Sequence, residues 1–329
     1  MTNPLLADWN TPFGIAPFNR ISDDDFAPAL EEALTAHRAE IDAIAENPAA
    51  PSFANTIEAL EASGDALDKV LSVFFTVAGA DSNGAREALQ RDFSPKLAAH
   101  QSAISGNTKL FARIAAIWEA RDTLDLTEEQ ARVLMLTHRG FVRSGAALAG
   151  AAAERMKEIK ARLAVLGTQF TQNLLADERD WFMPLSEGDL TGLPDFALDA
   201  ARAAGKEKGA EGPVVTLSRS LITPFLQFSD RRDLREKAFR AWEARGANGG
   251  ETDNRDIAAE TLALRKERAE LLGYENFAAY KLETEMAKTP DAVRDLLMSV
   301  WKPAKAQADA DAEVLTALMR EDGVNGALE

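Results

Sequence analysis

The chain of 329 residues has no cysteine, which excludes disulfides, thiolate nucleophiles and thiolate metal ligands together. Histidine is almost as scarce. His37, His100 and His138 are the only three, none has a second histidine four residues on, and the helical zinc pair H-E-x-x-H does not occur. Neither a G-x-S-x-G elbow nor a glycine-rich phosphate loop of either common spacing is present. Long apolar runs are missing too: Val70 to Ala80, interrupted by Ser72 and Thr76, is too short to span a membrane. The opening MTNPLLADWNTPFG lacks the basic cluster and apolar core of a signal peptide, so a cytoplasmic location is expected. Positive charge is in deficit. With 37 Lys and Arg against 53 Asp and Glu, the net charge of −16 repels phosphate backbones and anionic lipid, so neither nucleic acid nor a membrane is an expected partner.

What is present is helical periodicity, in a composition of 46% hydrophobic and 27% charged residues that is ordinary for a globular protein. Residues 1–20, rich in proline, read as an extended arm on the body. Ser22 with Asp25 three residues on reads as a capping box, with Ile21 and Phe26 at staple spacing. Asp23, Asp24 and Asp25 lack the alternating ligands and central glycine of a calcium loop, so they read as first-turn acids. Pro28 predicts a kink or a late restart. Further helices are predicted over residues 53–79, 83–105, 109–120 and 127–140, then one long helix over 147–175 with Met156, Ile159, Leu163, Leu166, Phe170 and Leu174 as its stripe.

The pattern changes at Trp181. Clustered Gly and Pro with the short runs DWFMPL, VVTLS and FLQFS predict a small insertion over residues 181–228, holding a strand pair and one helix over 195–204, with 206–212 as an exposed loop tip. Helix resumes after Ser229-Asp230 and stops at Gly246, and the glycine-rich 246–250 reads as a flexible joint. Three more helices follow: one after Asp253-Asn254 that stops at Gly273, one over 276–287, and one over 291–320 broken or disrupted at Pro303. The fold class is thus mainly α, a multi-helix array with one long central helix and a small β-containing insertion. Its divisions fall at 1–146, 147–228 and 229–329.

The stretch DNRDIAAETLALRKERAELLGYENFAAYKLETEMAKTP, Asp253 to Pro290, resembles the thimet oligopeptidase family of zinc metallopeptidases, above all its peptidyl-dipeptidase branch. In the same order come TPFGIAPFNRISDDDFAPALEEAL (Thr11 to Leu34), FANTIEALEASG (Phe53 to Gly64), EQARVL (Glu129 to Leu134), FVRSGA (Phe141 to Ala146) and FTQNLLAD (Phe170 to Asp177). The resemblance implies a mainly helical, zinc-dependent peptidase cleaving short peptides in a channel between two halves. The family's zinc motif lies in its second half, so the chain is expected to be the N-terminal, channel-forming half of such an enzyme. It would release C-terminal dipeptides only in the parent protein and be inactive alone. Zinc is expected in the parent and not in this chain, and no residue here is assigned as catalytic, cofactor-binding or metal-binding.

The remaining candidates for chemistry read as structural. His37 and His100 are expected at the surface or its boundary, and His138 beside an Arg139-Gly140 turn, serving helix-end carbonyls. Arg231, Arg232, Arg235 and Arg240 form a basic face that could receive a peptide carboxylate, although Glu236 lies four residues before Arg240 as a helical ion-pair partner. Expected partners are short peptides and the catalytic half, with self-association through an exposed apolar face. The alternatives are a noncatalytic helical binding or scaffold module, and a parent enzyme that cuts internally.

Overall fold

Ser22 sets the first helix in register. Its backbone N–H and its hydroxyl both donate to Asp25 Oδ2 at 2.7 Å, closing a 3₁₀ turn (Asp23–Asp25) that feeds α1 (Phe26–Ala45). Pro28 therefore falls in the first turn of α1, where no intrahelical donor is lost, and the late restart is what occurs. This is a computed structural model describing residues 3–328. It comprises two compact units, one ending at Ala153 and the other beginning at Glu154.

In the first unit α1 lies on α3 (Asp65–Ala80) and touches α4 (Gly84–Ser105). Phe26, Leu30, Val70, Phe74 and Phe93 form the core, and Leu5 of the N-terminal arm is buried with them. Phe74 meets Phe26 edge-on at 5.2 Å and Phe93 at 4.7 Å. Each fully buried Phe contributes roughly 1.5–3 kcal/mol of transfer free energy. Trp9 ties the arm down: its indole N–H donates to Pro4 O at 2.9 Å, and Lys69 Nζ lies 4.3 Å over its ring.

The single helix expected over residues 53–79 is broken. Phe53–Glu58 is a π-helical turn running into the short α2 (Ala59–Glu61), and Gly64 at φ 85° separates this from α3. A side chain at Gly64 would be strained, and its Cβ would lie 3.0 Å from the His37 ring. A second core joins Ile41, Ile44 and Ile57 to α5 (Thr108–Ala120) and α6 (Glu128–Ser144).

In the second unit the long α7 (Gly150–Asp180) pairs with α11 (Arg255–Leu271). Ile159 and Leu166 pack with Ile257 and Leu264, flanked by bidentate pairs from Arg155 to Glu267 and from Arg162 to Glu260. Residue number rises along one helix as it falls along the other, so the two run antiparallel with a seven-residue repeat. The insertion holds β1 (Phe182–Pro184) antiparallel to β2 (Val214–Thr216), in register Met183 opposite Val215. Between them α8 (Asp195–Lys208) extends to Gly209 at φ 67°, so the first three residues of the expected loop tip, 206–208, are helix. Gly205 has no room for a side chain, because its Cβ would lie 2.1 Å from Gly212 O.

The FLQFS run, grouped at first with the strands, lies largely in α9 (Arg219–Phe228), where Leu221, Ile222 and Phe225 bury one helical face. Next come α10 (Arg232–Glu243), α12 (Phe277–Leu282) and α13 (Pro290–Glu321). α12 ends five residues earlier than expected. Pro303 does not break α13, which stays helical for 32 residues. Among the described residues no helix is long and apolar enough to cross a membrane.

Candidate functional site

The expected flexible joint is a tightly bonded loop built on the end of α7. Asp177 Oδ2 accepts from Gly246 N–H at 2.7 Å, Oδ1 accepts from Asn248 Nδ2 at 2.9 Å, and the Thr252 hydroxyl also donates to Oδ1. Asp253 Oδ2 accepts from Gly249 N–H at 2.8 Å, and Oδ1 from Arg255 N–H at 2.9 Å. The Arg255 guanidinium and these N–H groups hold the Asp253 carboxyl well below the usual range. Buried Asn254 completes the clamp, donating to Phe170 O at 3.0 Å and accepting from Asn173 Nδ2 at 2.9 Å. Glycine content signalled mobility in the sequence. The donors those glycines expose are instead satisfied by side chains: Gly246 N–H by Asp177, 69 positions away, Gly249 N–H by Asp253 and Gly250 N–H by Asn248.

On α10 most of the basic face is already engaged. Arg231 pairs with Asp189 and Asp233, Arg235 donates to Ser229 O, and Arg240 pairs with Glu236 at 2.8 Å. The Arg232 guanidinium alone of the four has no hydrogen-bond or ion-pair partner among the described residues. It borders a recess of about 440 Å³ with Leu226, Arg235, Glu236, Phe239 and Arg240. Arginines beside an apolar floor suit a carboxylate flanked by a side chain. Phe239 is 42% exposed at this recess.

His37 lies half-buried at the boundary as expected, but His100 and His138 do not follow expectation. His100 is only 4% exposed, and its Nε2 lies 3.0 Å from His37 Nδ1. Burial, then His37 and Arg38, presses the His100 imidazole below its ordinary range. His138 does not border a turn, because α6 runs through Gly140 to Gly145 at φ 95°. Burial of Phe141 outweighs the roughly 1 kcal/mol that a mid-helix glycine costs. The His138 ring stacks on Trp118 at 4.7 Å and 9°, and burial followed by Arg121 lowers its proton affinity.

An extended apolar surface lies on α13, which has no buried residue and packs on α12. Leu296, Leu297, Val300, Trp301, Val314, Leu315 and Leu318 are each at least half exposed and recur at helical spacing.

Residues 225–329 match the sequence model of Peptidase family M3. The dipeptidyl carboxypeptidase of Salmonella typhimurium is 36% identical over 325 residues, covering 98% of this chain and 48% of that protein. The chain is thus similar to peptidase family M3. The Escherichia coli dipeptidyl carboxypeptidase is 34% identical over 319 residues (96% and 47%), and the Salmonella typhimurium oligopeptidase A 31% over 328 (98% and 48%). The chain thus spans about half the length of the curated relatives it matches.

The stretches that carry the M3 resemblance serve as scaffolding here. FTQNLLAD supplies Asn173 and Asp177 to the clamp on Asn254 and its loop, while FANTIEALEASG solvates a buried arginine. Arg113 donates to Asn55 Oδ1 at 2.8 Å, Thr56 Oγ1 at 3.3 Å, Asn47 O at 2.8 Å and Ala49 O at 3.0 Å. The zinc of an M3 enzyme does not fit the residues present. No three His, Cys, Asp or Glu side chains among the described residues converge to hold a metal ion, and His37 and His100 direct ring nitrogens at each other.

Proposed function

We propose that this chain forms the N-terminal, channel-wall part of a zinc-dependent peptidyl-dipeptidase, which removes C-terminal dipeptides from short peptides in the cytoplasm. The observation that carries this reading is the match to two dipeptidyl carboxypeptidases along nearly the whole chain, over about half of theirs. In the complete enzyme the metal would polarise the scissile carbonyl and activate water. Its ligands and the general base lie outside the residues described here, so the chain alone has no turnover. The apolar face of α13 supports the reading, since a wall that docks against a second half needs such a seam. Arg232, beside Phe239, is the cation in this chain best placed to receive a peptide's terminal carboxylate.

The test is to strip the purified chain with a chelator, restore zinc and supply a quenched peptide. No cleavage is expected, and zinc-dependent turnover overturns the reading. The oligopeptidase A matches favour internal cleavage as a second reading. Products of the chain joined to an M3 catalytic half decide between them: dipeptides support the first, internal fragments the second.

A further inference from the structure

His37 on α1 and His100 on α4 meet 3.0 Å apart, ring centroids 4.9 Å, at the turn that starts α3. Hydrogen bonding fixes their tautomers. The Ser63 hydroxyl donates to Leu60 O at 2.7 Å, so towards His37 Nε2, 3.4 Å away, Ser63 Oγ can only accept. His37 Nε2 therefore carries a proton, and in the neutral ring Nδ1 is an acceptor filled by His100 Nε2–H. His100 Nδ1 is left deprotonated, buried and without a partner.

A further proton has no good place. On His37 Nδ1 it would set two N–H groups against each other at 3.0 Å; on His100 Nδ1 it would bury an unbonded donor on a charged ring. The surrounding charges do not favour it. Arg38 on α1 is cationic and opposes a charge on His100. Glu40 is occupied by Gly64 N–H at 2.7 Å, and Lys96, one turn earlier on α4, pairs with Glu31 and Asp92. Asp65, the first residue of α3, is exposed. We propose that the His37–His100 pair is a pH-sensitive latch, holding α1, α4 and the Ser63–Gly64 turn together while both rings are neutral and releasing them on acidification.

The sign follows from proton uptake. An opened His100 binds a proton below about pH 6.5 and the buried His100 resists it, so the latch is fully effective above that pH and is lost as pH falls. With one proton taken up on opening near pH 6.5, the opening equilibrium rises by about tenfold between pH 7.5 and 5.5.

The test is hydrogen exchange of the whole chain at pH 7.5 and 5.5, corrected for intrinsic rates. Residues 34–40, 63–67 and 97–103 are expected to lose about tenfold in protection. Residues 154–271, which contain no histidine, are the internal control and should not change. H100Q keeps a donor towards His37 and removes the titrating ring, so it should abolish the response, whereas H138Q should retain it. Should H100Q not fold, the His100 ring-proton titration in the unmodified chain replaces it. Equal protection at both pH values, a response that survives in H100Q, or His100 titrating normally without loss of protection would each overturn the proposal.

Discussion

Replacing Asp177 with alanine tests whether the glycine-rich loop is a clamp or a joint. The carboxylate accepts from Gly246 N–H, Asn248 Nδ2 and the Thr252 hydroxyl, and Gly246 is itself buried. A hydrogen bond to a charged group is worth about 1.5–3 kcal/mol net, and an orphaned buried donor costs about 1–3 kcal/mol. Asn248 and Thr252 are exposed enough to find water or each other, at 2.9 Å, so the three losses do not add in full. About 3 kcal/mol is the expected destabilisation of the second unit, or about 6–12 °C in Tm for a unit of its size. D177N keeps one acceptor oxygen but turns an amide donor towards a donor, so it should fall between wild type and alanine. Urea unfolding followed by peptide-level hydrogen exchange assigns the loss to residues 246–254 and the end of α7. A change below about 1 kcal/mol in D177A would refute the clamp and restore the flexible joint.

Arg113 gives a parallel case in the first unit, because R113M keeps the bulk but leaves Asn47 O and Ala49 O without their donor. Unfolding free energy should drop by about 3 kcal/mol, and an unchanged denaturation midpoint would show that water replaces the guanidinium. On α13 the double change L297D and W301D should leave stability within about 0.5 kcal/mol, since both side chains are exposed. Light scattering should show less self-association than in wild type. A collapse in Tm would mean that the face is packed inside the chain.

Where helices begin was legible because a cap is decided within three residues. Ser22 with Asp25, Thr127 with Gln130, Asn276 with Ala279 and Thr289 with Ala292 all bond as their spacing requires. Where helices end was less so. Gly64 interrupts a periodic stretch, whereas Gly140 and Pro303 are carried through helices, and the difference depends on what packs alongside. The long α7 stripe was legible for Met156, Ile159 and Leu166, which are buried, but Phe170 is 37% exposed. A stripe tells which residues share a face, not how far the neighbouring helix reaches.

Local order thus lay in the sequence itself: mostly helical elements, the small strand pair, the lack of an H-E-x-x-H pair, and the motif order that resembles peptidase family M3. Tertiary structure alone decided which polar groups meet. Asp177 with Gly246 and His37 with His100 are brought together across 69 and 63 positions. Such pairs leave no periodic trace along the chain, because hydrogen bonds act over about 3 Å of space whatever the separation in sequence.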